Sequence, residues 1–143
     1  SGLFASEEVS EQQREAAESV LRAVGSVIWV DQEALIDSVT AVSGSGPAYF
    51  FYFIESLEKA ALEQGLDAEQ ARILSLETAF GAAKLALESD QDAATLRQRV
   101  TSPGGTTEAA LKIFDQQGLD RIIADAVTAA AERARALAKL ADQ

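Results

Sequence analysis

The stretch Tyr49-Phe50-Phe51-Tyr52-Phe53-Ile54 decides the fold, because it collects both tyrosines and three of the six phenylalanines of the chain. Consecutive residues of an α-helix point about 100° apart, so a helix carrying this run is apolar on every side. Such a helix needs cover on all sides, which predicts a central position with a second subunit as part of the cover. The alternative is the core helix of a monomer, and we favour an intertwined oligomer.

Helical patterns surround this run and continue to the end of the chain. The segment from Glu33 to Val42 is ambiguous, but its apolar residues fit a helical stripe. Gly65 and Gly118 are typical helix stops, and Asp67 is a typical N-cap. The predicted helices of this mainly α domain are six in number and cover residues 33–42, 48–64, 68–88, 92–100, 106–117 and 119–142.

The first thirty-odd residues have a different pattern. Ser10 and Gln13 have the spacing of a capping box and open a helix that Gly25 ends. The β-branched and aromatic run Val27–Val30 predicts a buried strand, and residues 2–5 predict a second short one. A sheet of two strands is marginal by itself. We therefore interpret this head as a strand-helix-strand remnant of a neighbouring α/β domain.

The composition excludes several classes of chemistry. The net charge of −11 disfavours nucleic acid and anionic membranes as partners. Without Cys or His the chain has no disulfide, no Ser-His-Asp triad and no thiolate nucleophile, and we expect no metal site. The absence of Met suggests a piece of a longer protein, and no signal or membrane-spanning pattern is present, so a cytoplasmic location is the default expectation.

The loop Thr101-Ser102-Pro103-Gly104-Gly105-Thr106-Thr107 precedes a predicted helix. Adjacent glycines allow close backbone approach, and threonine hydroxyls at a helix start are expected to cap its N–H groups. A helix N-terminus with free donors suits a carboxylate or a phosphate. Taken alone, the loop fits a plain helix connection somewhat better than a ligand site.

A second glycine-rich stretch, Gly44-Ser45-Gly46-Pro47-Ala48-Tyr49, imitates the start of the dinucleotide fingerprint G-x-G-x-x-G. We reject it as the primary cofactor site, because Tyr49 occupies the third glycine position and no clear strand precedes it. Residues 43–46 are expected to break the helical pattern as a loop that lines a cleft. Pro47 then takes the first position of the next helix.

Two motifs together, Ala41–Tyr49 and Val100–Thr107 followed by Ala110-Leu111, resemble the C-terminal part of the pyrroline-5-carboxylate reductases. The resemblance extends from about Gly2 to Leu137. It implies that residues 1–36 are the end of a dinucleotide-binding Rossmann domain and that residues 37–143 form a helical dimerisation and substrate-clamp domain. Members reduce 1-pyrroline-5-carboxylate to L-proline, the last step of proline biosynthesis, with NADPH or NADH. Nearly all of the Rossmann domain is absent here, so we expect no catalysis by this chain alone.

The resemblance also assigns site residues and partners. Thr107 lies near the ring nitrogen of the substrate as the catalytic candidate, with Thr107 or a water as the proton relay. A homodimer is implied, with further assembly left open. The alternative is a non-enzymatic helical oligomerisation module. The backbone donors to the substrate carboxylate are expected at Ser102, Gly104, Gly105, Thr106 and Thr107. The nicotinamide side is expected at Ser43, Gly44, Ser45, Gly46 and Pro47.

Overall fold

The computed structural model describes residues 1–141 and shows a mainly α-helical chain with a small parallel sheet at its start. The predicted fold class is confirmed. The last helix was expected to reach Asp142, which lies outside the described residues. The elements are β1 (Gly2–Leu3), α1 (Glu11–Arg22), β2 (Ile28–Trp29), α2 (Leu35–Val39), a π-helix (Thr40–Gly44), α3 (Gly46–Glu63), α4 (Ala68–Glu88), α5 (Ala93–Arg99), α6 (Thr106–Gln116) and α7 (Leu119–Ala141).

The chain divides into two compact units. One consists of Ser1–Gly46 together with the chain from Ala124 onward, and the other is Pro47–Ile123. In the first unit, Arg135 of α7 lies 3.9 Å from the Asp37 carboxylate of α2. The division of the sequence at residue 36 is a prediction about the dinucleotide-binding remnant, and it stays a prediction.

The head is a β-α-β unit. β1 and β2 pair in parallel, with Gly2 opposite Ile28 and Leu3 opposite Trp29. Glu18 of α1 accepts a hydrogen bond from Trp29 Nε1 at 2.7 Å, and the Arg14 guanidinium lies 4.4 Å from the centre of the Trp29 ring. These contacts attach α1 to β2. The expectation that this strand is buried is wrong, since Ile28 is 56% exposed on a sheet of only two strands.

The segment around Gly44 differs from the prediction. We expected a loop at residues 43–46, but these residues stay helical, because α2 continues into the π-helix and α3 begins at Gly46. The Ser45 N–H donates to Thr40 O at 2.8 Å. Pro47 is therefore the second residue of α3, not the first. The wider turn lies directly before a proline that has no N–H to donate to a helical acceptor.

The predicted helix caps are confirmed. Gln70 N–H donates to Asp67 Oδ1 at 2.8 Å, and Asp67 N–H donates to Gln70 Oε1 at 3.1 Å, which is a complete capping box. The same arrangement joins Ser10 and Gln13 at the start of α1. Gly65 follows α3 with φ +94°, a left-handed conformation that other residues avoid.

The chain buries very few of its apolar side chains. Among the described residues, the buried hydrophobic side chains are Ala41, Ala71 and Ala131. In α3, Phe50, Phe51 and Tyr52 are 68%, 69% and 71% exposed. The aromatic run is therefore not the core helix of a monomer, and the monomer alternative is wrong.

Candidate functional site

The Pro-Gly-Gly loop is a tight turn between α5 and α6. Gly105 N–H donates to Ser102 O at 3.0 Å, which closes a four-residue turn with Pro103 and Gly104 in the central positions. Gly104 has φ +71°. Proline followed by a glycine with positive φ is the signature of a type II turn. Any other residue at position 104 is strained, so the Pro-Gly pair sets the path of the loop.

The start of α6 differs from the expected cap. Gly105 is the N-cap, and no side chain caps this helix. The expectation that the Thr106 or Thr107 hydroxyl serves as the cap is wrong, because these residues are already the first two of the helix. A Cβ at position 105 would lie 3.0 Å from Ser102 O, so glycine suits this position. Both threonine hydroxyls are left for other partners.

Glu108, the third residue of α6, has a role in the loop that sequence reasoning missed. Gly104 N–H donates to Glu108 Oε2 at 2.8 Å. An acidic residue three positions after an N-cap is the sequence signal of a capping box. Here the carboxylate reaches one residue beyond the N-cap. The signal was overlooked because a threonine, not Gly105, was expected to be the cap.

The backbone donors around the loop fall into two groups. The N–H groups of Gly104 and Gly105 already donate to Glu108 and to Ser102. The first N–H groups of an α-helix have no partner within that helix. Within residues 1–141, the N–H groups of Thr106 and Thr107 therefore remain available, at the partly positive end of α6. Of the predicted carboxylate donors, these two are the ones that are free in the structure.

A cleft of about 780 Å³ lies beside this turn. Of the predicted substrate-binding residues, Gly104 and Gly105 line it, whereas Ser102, Thr106 and Thr107 are not among the described lining residues. Two cations, Arg97 and Lys112, face it together with two carboxylates, Glu108 and Asp115. The lining is thus balanced in charge, and the free N–H groups of α6 are not part of it.

The residues predicted for the nicotinamide side lie at the junction of the π-helix and α3. Ser43 and Gly44 are exposed, Ser45 is half-buried and Gly46 is buried. Because the Ser45 N–H is used within the helix, this segment has no open loop like that of a phosphate-binding glycine motif. Ser43 offers a solvent-accessible hydroxyl. The residues present fit a contact with one end of a cofactor, not a cradle for its phosphates.

The described residues were also searched for metal sites and membrane spans. Over residues 1–141, no three acidic side chains come together in a way that fits a metal ion. None of the helices in that range combines the length and the apolar character needed to cross a membrane.

Known proteins resemble this arrangement over nearly its whole length. The family model described as pyrroline-5-carboxylate reductase dimerisation matches residues 33–137. The fold and the loop thus define a helical dimerisation domain. The chain belongs to the pyrroline-5-carboxylate reductase dimerisation family.

Individual relatives agree. The pyrroline-5-carboxylate reductase of Pseudomonas aeruginosa is 50% identical over 139 residues, which are 97% of this chain and 51% of that protein. A structure of a pyrroline-5-carboxylate reductase from Coxiella burnetii has a TM-score of 0.92 at 50% identity and covers 95% of this chain and 50% of that one. The Plasmodium falciparum pyrroline carboxylate reductase, solved with NADP bound, has a TM-score of 0.83 at 30% identity, with 94% of this chain and 52% of that one covered. The chain spans about half the length of the relatives that it matches.

Proposed function

We propose that this chain is the dimerisation and substrate-clamp part of a reductase that converts 1-pyrroline-5-carboxylate to L-proline with NADPH or NADH. The observation that carries the proposal is the start of α6, where the free N–H groups of Thr106 and Thr107 lie at the positive end of a helix. The Thr107 hydroxyl is not used as a cap. A carboxylate beside a ring nitrogen matches this set of donors.

The free N–H groups of Thr106 and Thr107 bind the substrate carboxylate in this proposal. The Thr107 hydroxyl then hydrogen-bonds to the ring nitrogen, which fixes the imine relative to the cofactor. A nicotinamide cofactor supplies the hydride, which adds to the imine carbon while the nitrogen keeps its proton. The exposed hydroxyl of Ser43 is our candidate for a contact on the nicotinamide side.

The absence of His and Cys agrees with this chemistry. A protonated imine already accepts a hydride readily, so the protein has mainly to hold two reactants in the correct orientation. Backbone N–H groups and one hydroxyl are sufficient for that task. We propose further that the active unit is a homodimer, because the aromatic face of α3 is exposed in the single chain.

The test is a reductase assay on the complete protein that carries this sequence. NADPH and NADH oxidation is followed with 1-pyrroline-5-carboxylate, and residues 1–143 alone serve as the control. Substrate-dependent oxidation by the complete protein and none by the control supports the proposal. No oxidation with either cofactor overturns it.

A non-enzymatic oligomerisation module is the second candidate. It is favoured by one observation, that residues 43–46 are helical and only the loop at residues 102–105 forms an open glycine turn. A crystal of residues 1–143 soaked with L-proline separates the two functions. A carboxylate bound at the N–H groups of Thr106 and Thr107 supports the substrate clamp, whereas an empty helix start supports the module.

A further inference from the structure

The contact between Glu108 and Gly104 selects one of two conformations of the turn at residues 102–105. The N–H of Gly104 belongs to the central peptide of this turn, between Pro103 and Gly104. Type I and type II turns differ mainly by a flip of that peptide, with φ at the third residue changing from about −90° to about +80°. Glu108 Oε2 accepts from this N–H at 2.8 Å while Gly104 has φ +71°.

The flip matters because the turn leads directly into the cap of α6. Gly105 follows the flipped peptide and is the N-cap, with extended backbone angles of φ −84° and ψ 171°. Thr106 and Thr107 come next, and their N–H groups are free donors within the described chain. A turn that alternates between two conformations presents these donors in two orientations, and only one of them matches a bound carboxylate.

We propose that Glu108 is a positioning residue, which holds the turn in its type II form and so orients the N–H groups of Thr106 and Thr107 toward the substrate carboxylate. This inference rests on the proposed function. The role requires a hydrogen-bond acceptor and not a negative charge. A charge here favours the helix start, but it also repels an anionic substrate nearby. Glutamine at position 108 keeps the acceptor and removes the charge.

The opposite role makes a different prediction. If the Glu108 carboxylate instead competes with the substrate for the Gly104 donor, its removal frees that donor and strengthens substrate binding. The two roles therefore predict changes of opposite sign in the KM of the substrate. The exposure of Glu108 keeps the side chain replaceable without a cavity.

The test compares Glu108→Ala and Glu108→Gln in the complete protein, with Glu69→Ala as the matched control. Glu69 is also an exposed acid in the first turn of a helix, α4, so it reports the general effect of removing such a charge. We expect Glu108→Ala to raise the KM for 1-pyrroline-5-carboxylate about three- to tenfold, with the KM of the cofactor unchanged. Glu108→Gln should stay within about twofold of the unmodified protein. A KM that is unchanged or lower in Glu108→Ala, or a Gln variant that behaves like the Ala variant, overturns the proposal.

Hydrogen–deuterium exchange of the segment 100–109 in the same proteins needs no activity. Faster exchange in Glu108→Ala but not in Glu108→Gln or Glu69→Ala is expected. If the unmodified protein lacks reductase activity but shows this pattern, the proposed function fails and the control of the turn by Glu108 stands. If it is active and exchange is the same in all variants, the Glu108 proposal fails and the function stands.

Discussion

Thr107 occupies the second position of α6, half-buried, with a hydroxyl that takes no part in capping the helix. Gly105 replaces the threonines as the cap, and Glu108 accepts from the backbone of the preceding turn. Each of these residues therefore has a different role from its neighbour, although the four from 105 to 108 are adjacent in sequence. Single substitutions at this site should have effects that differ in kind.

Thr107→Ala is the residue-scale test of the substrate site. In the complete protein, we expect it to reduce kcat/KM by the equivalent of about 1.5–3 kcal/mol, the scale of a hydrogen bond to a charged group. Steady-state kinetics with 1-pyrroline-5-carboxylate measure this change. Thr128→Ala is the control, because the Thr128 hydroxyl donates to Ala124 O within its own helix. Unchanged kinetics in Thr107→Ala would remove Thr107 from the mechanism.

At the scale of single elements, side-chain caps set where several helices begin. α4 starts at the Asp67 capping box, and α5 starts where Asp92 accepts from Thr95 N–H at 2.8 Å. α6 is different, since it has no side-chain cap and depends on the turn before it. This difference leaves free donors at the start of α6, where the proposed ligand binds.

Asp67→Ala should destabilise the fold by about 0.5–2 kcal/mol, because the first N–H groups of α4 lose their acceptor. Urea unfolding followed by circular dichroism measures the effect at one fixed protein concentration. Asp67→Asn retains an acceptor oxygen and should lose much less. Equal losses in the two variants would show that charge at the helix start, not the cap, is the stabilising factor.

Asp92 predicts a dependence of stability on pH. Its pKa lies below the ordinary value of 3.8, because the backbone N–H of Thr95 and then its side chain hydrogen-bond to the carboxylate. The stabilisation is therefore present above pH 3.8 and is lost as the pH falls through the lower pKa of the folded state. Thermal unfolding of the unmodified chain and of Asp92→Asn, measured between about pH 2.5 and 7, should give a difference in Tm that shrinks toward the acid end. A difference that is constant with pH contradicts this role.

At the scale of the whole molecule, the dominant feature is apolar surface left exposed by the single chain. The exposed large side chains include Phe50, Phe51 and Tyr52 of α3 and Phe80 of α4. Monomeric soluble proteins rarely expose large contiguous apolar patches, and such patches mark interaction sites. Stability should then depend on a partner chain, and hence on concentration.

We expect residues 1–143 to form a dimer whose unfolding midpoint rises with protein concentration. Phe51→Glu should weaken the dimer about tenfold or more, since it buries a charge in an apolar interface. Sedimentation equilibrium measures the association. Val24→Glu serves as the control, because Val24 is 80% exposed and lies in the head, outside the aromatic run. A monomer mass at all concentrations would refute the dimer.

The local elements were largely predictable because their signals are local. The capping boxes at Ser10 and Asp67 and the glycine after α3 each depend on residues within a few positions of one another. The π-helix was missed, because Ser-Gly-Ser-Gly-Pro has the composition of a loop and its actual state depends on the helices on both sides. The cap of α6 was missed for a similar reason, since the turn at residues 102–105 moves the helix start back by one residue.

The sequence by itself determined the helical class, the strand-helix-strand head, the family and the loop that carries the proposed site. These follow from the period of the apolar residues, the short-range caps and two specific motifs, which are properties of neighbouring residues along the chain. Only the tertiary structure decided which donors are free at the start of α6 and that α3 lacks cover within its own chain. Both depend on which groups meet through space, since a hydrogen bond to Gly104 or the burial of Phe51 is fixed by a neighbour's position and not by its place in the sequence.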